Sequence, residues 1–227
     1  MCGDDFTFLF PSQIKNQIVF LNTQKNQMKH LFLLVLFVSA LSCAQDKVPV
    51  AGETEFQREI NSEYKDATKS PLKSKDLKTF KGLDFFKFDS TFVVTATLKR
   101  TLDSEWFKMQ TTTSRVSDER VYGILTFELQ GQTFTLNVYQ GKDLMKEAGF
   151  EDYLFLPFID NTNGEESYGG GRYIDMRIPE GDTIEIDFNK AYNPYCAYNE
   201  KYSCPIVPRV NYLDVKVRAG VKVFEKH

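Results

Sequence analysis

From residue 92 to the end of the chain, apolar residues recur at every second position in short segments, and glycine or proline separates these segments. The first segment has one apolar face, made of Phe92, Val94, Ala96 and Leu98. A period of two is typical of a β-strand with one buried face. Further predicted strands span residues 121–129, 133–139, 172–178, 183–188, 213–217 and 221–224, and residues 153–159 are a near-continuous apolar run that is compatible with a buried strand bending or ending at Pro157. This pattern predicts a mainly β fold, an antiparallel sandwich or barrel.

Two of the separating segments have residues that favour a turn. Gln130-Gly131-Gln132 lies between two predicted strands, and its glycine can adopt the positive φ that a tight hairpin requires. Pro179-Glu180-Gly181-Asp182 combines residues that are typical of turns. We therefore expect the chain to change direction at both places.

One amphipathic helix is predicted before the strands. From Glu53 onward, Phe56, Ile60 and Tyr64 follow one another at intervals of four residues, and polar residues occupy the opposite face. Ser70-Pro71 ends the pattern. A short helix with a narrow apolar stripe is expected to pack on the sheet.

The residues before Cys43 resemble a signal peptide. Lys29 and His30 precede an apolar run over residues 31–38, and small residues lead up to the cysteine. The run is shorter than the roughly 20 apolar residues of a transmembrane helix. We predict a lipoprotein signal that is cut before Cys43, which then carries the lipid. An ordinary signal peptide that happens to contain a cysteine is the alternative.

This assignment divides the chain into four parts. We predict that translation starts at Met28 and that residues 1–27 lie upstream of the true start. Residues 28–42 are the predicted signal peptide, 43–52 a tether and 53–227 a single β-rich domain. The predicted location is the cell envelope, with the lipid in a membrane. The absence of aspartate directly after Cys43 favours the outer membrane.

Composition restricts the function classes. The chain has 28 basic and 31 acidic residues, and this balance argues against a nucleic-acid partner. Its two histidines, His30 and His227, lie outside the predicted strands, so a triad with an imidazole base and a zinc site are both disfavoured. We predict neither a cofactor nor a metal.

Polar residues are concentrated in two loops. Residues 160–172, the glycine loop, place carboxylates and amides before Gly169-Gly170-Gly171, a pattern that suits a ligand or cation as well as a sharp turn. An EF-hand is excluded, because Gly164 at its sixth position puts Gly170 where glutamate is needed. Residues 187–205, the tyrosine loop, contain four tyrosines that suit stacking on a sugar or peptide, or simple packing. The candidate ligand-binding residues are Asp160, Asn163, Glu166, Tyr168, Gly170, Arg172, Asp187, Asn189, Tyr192, Asn193 and Tyr198.

The same two loops contain the most specific motifs of the chain. These are the run from Ser167 to Tyr173, Ala191-Tyr192-Asn193-Pro194 and Cys196-Ala197-Tyr198. Together with Cys204-Pro205 and Ala219-Gly220, they resemble the uncharacterised bacterial family DUF1684, over about residues 56–224. The resemblance implies no established activity, and it implies an exported or membrane-attached protein. Longer members have an additional N-terminal β region that is not recognisable here.

Cys196 and Cys204 are eight positions apart in a domain that we expect to be exported. Oxidising compartments favour a disulfide between them. A pair of free redox-active thiols is the alternative.

Two function classes follow. The favoured one is a non-catalytic envelope protein that binds a polar ligand, a glycan or a peptide, at the two loops. The alternative is a hydrolase of an envelope polymer that uses paired carboxylates from the group Asp160, Glu165, Glu166 and Asp187. A structural interpretation also exists, in which Asp187 and Arg172 form an ion pair or bond to loop amides.

Overall fold

The computed structural model describes residues 52–224. The predicted upstream residues, the signal peptide and Cys43 lie outside this range. The elements are helices α1 (Glu55–Lys65) and α2 (Ser74–Thr79) and eight strands. The strands are β1 (Val93–Arg100), β2 (Phe107–Gln110), β3 (Val116–Leu129), β4 (Gln132–Gly141), β5 (Tyr153–Asp160), β6 (Arg172–Arg177), β7 (Thr183–Asp187) and β8 (Tyr212–Leu213). No helix in the described range has the length and apolar character needed to span a membrane.

The eight strands form one sheet that curves into a half-barrel. Its order is β6-β5-β4-β3-β1-β7, with antiparallel neighbours, while β2 pairs with β3 and the short β8 runs parallel to β5. Alternate apolar side chains from most strands fill the concave interior. The mainly β, antiparallel fold that the sequence predicts is confirmed.

The predicted hairpin between residues 121–129 and 133–139 is confirmed, and it joins β3 to β4. Gln130 and Gly131 have φ values of 51° and 76°, so both central residues of the turn are left-handed. This is the backbone that the twist of paired antiparallel strands requires.

The segments on either side of the Pro179–Asp182 turn lie at opposite edges of the sheet. β6 pairs with β5, whereas β7 pairs with β1 over five residue pairs. The turn is held near the start of β7 because the backbone N–H of Leu98 donates to the carbonyl of Asp182 at 2.8 Å. The chain therefore crosses the open side of the half-barrel between these two strands.

The two predicted C-terminal strands are mostly absent. Only Tyr212–Leu213 is a strand, and the chain beyond it bonds to loops, with Val221 N–H donating to the Ala191 carbonyl at 2.9 Å. The residues that suggested strands are buried: Val215, Val217, Ala219 and Val221. An extended segment that buries alternate side chains has the same period of two as a strand, and the sequence pattern therefore predicts strands here wrongly.

Helix α1 begins after Thr54, whose hydroxyl accepts from the N–H of Gln57 at 3.2 Å. It ends at Lys65, five residues before the predicted end. Its apolar stripe buries Ile60 and Tyr64 against the tyrosine loop and the C-terminal segment. The six-residue α2 was not predicted, because so short a helix has too few positions to establish a period.

Strands β4 and β5 diverge, and Asn211 joins them. Their ladder contains the single pair Tyr139 and Phe155. The Asn211 side chain is fully buried, accepts from the N–H of Asn137 at 2.9 Å and donates to the carbonyls of Asn137 and Pro157 at 2.8 and 2.6 Å. One amide side chain thus replaces the missing ladder bonds.

We expect Asn211→Ala to lower the free energy of unfolding by about 3 kcal/mol, because it leaves buried backbone groups on both strands without partners. Urea unfolding followed by tryptophan fluorescence measures this. Gln132→Ala, at an exposed position, is the control and should change stability by less than about 0.5 kcal/mol. Equal effects of the two substitutions would contradict the bridging role of Asn211.

Candidate functional site

A buried ion pair organises the glycine loop. Arg172 donates from Nη2 to Asp160 Oδ2 at 2.7 Å, and neither side chain has exposed surface. The same guanidinium donates to the carbonyls of Val217 and Ala219. Burial lowers the pKa of Arg172, and the neighbouring Asp160 carboxylate opposes that shift. A side chain so enclosed contacts only protein.

The aromatic surroundings of Arg172 complete its burial. The guanidinium carbon lies 5.1 Å from the ring centre of Phe158 and 5.8 Å from that of Phe86. Asp160 accepts through Oδ1 from the N–H groups of Thr162 and Val217 at 2.8 and 3.1 Å. The pair therefore connects the ends of β5 and β6 to the C-terminal segment.

The other predicted residues of the glycine loop also bond within the protein. Asn163 accepts from the N–H of Asp160 at 2.6 Å and donates to the Tyr168 carbonyl at the same distance. Glu166 pairs with Arg218 and Lys216, and hydrogen bonds from Arg218 and then Lys216 lower its pKa to about 2. These contacts match the turn interpretation of the loop.

Gly171 explains why the glycine run is needed. Its φ is +92°, and a Cβ at this position would lie 2.8 Å from the carbonyl oxygen of Phe158. Gly170 lies against the ring of Tyr168, two positions earlier in the chain, and a Cβ on Gly170 would be 2.5 Å from that ring. The loop therefore passes close to the backbone of β5 at Gly171 and packs on its own Tyr168 ring at Gly170, which requires glycine at both positions.

The predicted pairing of Asp187 with Arg172 is wrong, since Arg172 pairs with Asp160. Asp187 accepts instead from the backbone and side-chain N–H groups of Asn189 at 3.0 and 2.9 Å. The Asn189 amide also bonds to the backbone of Asp89, which attaches the start of the tyrosine loop to the chain before β1. The other half of the structural interpretation, a bond from Asp187 to a loop amide, is confirmed.

The tyrosine loop divides into a packed and an open part. Tyr198 is fully buried, with its ring centre 5.0 Å from those of Tyr64 and Phe224. Asn193 is also buried and donates to the Lys222 carbonyl at 2.8 Å. Tyr192 and Tyr195, in contrast, line a cavity. The packing interpretation is thus confirmed for part of the loop, and stacking of the cavity-lining tyrosines on a ligand stays a prediction.

This cavity, the tyrosine cleft, has a volume of about 420 Å³ and lies between α1, β6 and the tyrosine loop. Its aromatic walls are Phe56, Tyr64, Tyr173, Tyr192, Tyr195 and Tyr202. Its carboxylates are Glu59, Glu63 and Asp175, and no lysine, arginine or histidine of the described range lines it. The cleft is therefore aromatic and acidic.

Asp175 holds two tyrosine hydroxyls at this site. Its Oδ1 accepts from Tyr153 at 2.7 Å and from Tyr192 at 2.6 Å. Burial, and next the Asp175 charge, raise the pKa of both tyrosines, so both hydroxyls stay protonated as donors. The three side chains form a fixed polar group beside aromatic rings.

A second cavity of about 410 Å³, the Glu119 pocket, adjoins the cleft. The two share Tyr173, Tyr192 and Pro205 as lining residues. Glu119 is 6% exposed, and burial raises its pKa. Together the cavities offer a ligand two differently charged compartments.

The cysteines lie side by side next to the cleft. The N–H of Cys196 is 3.2 Å from Cys204 Sγ, and both residues are free thiols. A hydrogen bond from Cys204 lowers the pKa of Cys196 to about 6, and the same contact raises that of Cys204. The structure thus shows proximity without a bond, and the disulfide stays a prediction.

The sequence-predicted residues do not form one site. Of the eleven candidates, Tyr192 alone lines the tyrosine cleft, and Asp160, Glu165, Glu166 and Asp187 line neither this cleft nor the Glu119 pocket. Asp175 and Glu119 were missed because each lies within a strand, where a charged residue is usually on the solvent face. The sequence offers one signal for a site at these strands, which is the aromatic residue Tyr173 two positions before Asp175. Within residues 52–224 no three His, Cys, Asp or Glu side chains are grouped as metal ligands.

Comparison with known proteins gives a family and a fold. The family model described as "Protein of unknown function (DUF1684)" matches residues 78–222. An uncharacterized protein of Haloarcula marismortui, with a known solution NMR structure, is 31% identical and has a TM-score of 0.60. The match covers 75% of this chain and 92% of that one. No curated protein matches the chain.

We expect Arg172→Met to cost about 3–5 kcal/mol of stability, because it leaves the Asp160 charge buried without its partner. Replacing both residues, Arg172→Met with Asp160→Leu, should recover part of this loss. A double-mutant cycle in urea measures the coupling, which we expect to be about 2 kcal/mol or more. Strictly additive effects would mean that the ion pair is not what stabilises the loop.

Proposed function

The chain belongs to the DUF1684 family, and we propose that it is an exported lipoprotein of the cell envelope whose domain binds a glycan or peptide without catalysis. In this proposal the lipid is on Cys43, the membrane is the outer membrane and the ligand occupies the tyrosine cleft. Because an exported domain lies in an oxidising compartment, the proposal also includes the predicted Cys196–Cys204 disulfide.

The lipid anchor is supported by the residue pattern before Cys43. An apolar run followed by small residues and a cysteine is what lipoprotein processing uses. Several acyl chains on one cysteine give stable attachment, since each buried methylene contributes about 0.8 kcal/mol.

We expect Cys43→Ala to abolish labelling of the protein by an alkyne fatty acid fed to cells, because the acceptor thiol is removed. Labelled protein is detected on a gel after coupling to a fluorophore. Cys196→Ala is the matched control and should label normally. Persistent labelling of the Cys43→Ala protein would exclude this cysteine as the anchor.

The binding function depends on one observation, the Tyr153–Asp175–Tyr192 group beside the aromatic walls of the cleft. A ligand site typically combines a mostly apolar cavity with a few fixed polar groups, and a volume of about 420 Å³ suits a small sugar or a short peptide. Because Asp175 bonds to both hydroxyls, the polar group is ordered before a ligand arrives. Such order reduces the entropic cost of binding.

The lining of the cleft restricts the ligand. Tyrosine rings can stack on the apolar face of a sugar ring or on a peptide group, and carboxylates can accept hydrogen bonds from hydroxyl or N–H groups. With three carboxylates and no cationic side chain on its walls, the cleft disfavours anionic ligands. Neutral and positively charged ligands are the compatible classes.

We expect a ligand of this site to raise the unfolding temperature of the lipidated protein in mild detergent. At 100 times the dissociation constant the gain is about 2.7 kcal/mol, which is a shift of several degrees. The panel contains muropeptides, neutral and amino-sugar oligomers and short peptides. Asp175→Asn and Tyr192→Phe should reduce the shift, because each breaks the fixed polar group.

Asp103→Asn, an exposed aspartate away from the cleft, is the control and should respond like the parent protein. Shifts that persist in both cleft variants would place the ligand elsewhere. If nothing in the panel shifts any form, the binding function is rejected.

The hydrolase remains the second candidate because of Glu119 and Asp175. They line adjoining cavities, and burial raises the pKa of Glu119, as it does for the acid of many carboxylate-dependent hydrolases. Chromatography of each panel ligand after prolonged incubation separates the two functions. Products that disappear in Glu119→Gln would favour the hydrolase, and intact ligands favour binding alone.

A further inference from the structure

We propose that the Glu119 pocket binds a protonated amine of the ligand, with the Glu119 carboxylate as its partner. This inference rests on the proposed binding function and narrows its ligand class. The amine can belong to an amino sugar or to a lysine-like peptide side chain. Both supply the same chemistry, an ammonium group with several N–H donors.

The first argument is an unsatisfied acceptor. Glu119 Oε1 accepts from the hydroxyl of Ser117 at 2.6 Å. Glu119 Oε2 is buried and has no hydrogen-bond partner among the described residues. Nearly all buried polar atoms in folded proteins are bonded, so an unpartnered, buried carboxylate oxygen on a residue that lines a cavity marks a place for a donor.

The second argument is the space around the carboxylate. In the sheet, Glu119 lies between Phe107 of β2 and Gly141 of β4. A Cβ on Gly141 would lie 3.3 Å from Glu119 Oε1, which is tighter than most contacts of real side chains. Glycine at this position leaves room for the carboxylate without close crowding.

The nearby cations do not neutralise Glu119, because they are bound elsewhere. Arg115 donates to the hydroxyl and carbonyl of Ser203 at 3.1 and 3.0 Å. The Lys142 ammonium lies 5.7 Å from the ring centre of Trp106. Burial raises the pKa of Glu119, and it outweighs the Ser117 hydrogen bond and the Arg115 charge, which favour the charged form.

The third argument is the charge of the adjoining tyrosine cleft. Its three carboxylates attract a cation, and its tyrosine faces favour one through cation–π contact. A neutral donor would satisfy Oε2, but it would not offset the buried charge. An ammonium does both, and it therefore fits the two cavities better than a hydroxyl or an amide.

The test compares two matched pairs of ligands on the lipidated full-length protein in detergent. One pair is glucosamine trimer and N-acetylglucosamine trimer, and the other is N-terminally acetylated Ala-Lys-Ala and its Nε-acetyl form. Titration followed by thermal shift and calorimetry gives the dissociation constants. We expect at least one free amine to bind about 10- to 100-fold more tightly than its acetylated form.

Glu119→Gln should remove this preference, so that the free and the acetylated ligand of a pair bind with equal affinity. Glu128→Gln, an exposed glutamate on the same strand, is the matched control and should keep the preference. The pair that shows the effect identifies the source of the amine. Equal affinities within both pairs, or a preference that survives Glu119→Gln, would overturn the inference.

A failed inference and a failed function give different results. If acetylated or neutral ligands bind and free amines gain nothing, the binding function stands and the amine subsite does not. If no member of the panel binds, both are rejected together.

A readout without ligand tests the buried carboxylate itself. The groups that face Glu119 are Arg115 and Asp118 on its own hairpin, Lys142 and Asp143 after β4, and Tyr153 of β5. A carboxyl with a raised folded pKa stabilises the protein below its ordinary pKa of 4.5 and loses that contribution as pH rises through the folded pKa. Glu119→Gln should therefore raise the unfolding temperature by about 2–4 °C at pH 8 and have little effect at pH 4. A constant difference across this range would show that Glu119 is not a buried, uncompensated charge.

Discussion

The pairing of Arg172 with Asp160 is the interaction on which the rest of the structure depends. It forms where β5 ends and β6 begins, and its spare donors hold the carbonyls of Val217 and Ala219. The segment after β8 forms almost no ladder bonds of its own, and the guanidinium adds to the buried apolar residues and loop hydrogen bonds that hold this segment in place. A buried ion pair is not a large net source of stability. Here the ion pair contributes specificity, because it favours one arrangement of the end of β5, the start of β6 and the segment after β8.

That arrangement also determines where the cleft can lie. With the C-terminal segment fixed, Val221 and Phe224 contribute to the apolar cluster beneath α1, and Tyr198 fills its centre. The remaining tyrosines of the loop lie at the margin of this cluster, where Tyr192 packs against it and bonds to Asp175. The buried polar groups of the glycine loop, Arg172 and Asp160, therefore act as scaffold, and the tyrosines that line the cleft lie beside the cluster.

Much of the fold could be predicted from the sequence, but little of the site. The hairpin at Gln130-Gly131 and the face of β1 follow from local rules, because turn chemistry and alternation depend on near neighbours. The pairing of β7 with β1 does not follow, since nothing local indicates that the chain crosses to the far edge. Asp175 and Glu119 likewise cannot be identified as site residues from the sequence, because a lone acidic residue within a strand is typical of a solvent-facing position. They become candidate site residues only in the folded protein, where the curved sheet places them on the walls of adjoining cavities.

The backbone contact between Tyr173 and Tyr192 has a further consequence for how the protein behaves at high concentration. The two residues exchange hydrogen bonds of 2.9 and 3.0 Å, so the tyrosine loop occupies part of the outer edge of β6. An open half-barrel has two free edges, and free edges invite strand pairing between molecules. Here one edge is partly capped by the same loop that lines the cleft, and the other belongs to a strand of five residues. The tyrosine loop, which lines the cleft, thereby also covers an edge at which strands of two molecules could pair.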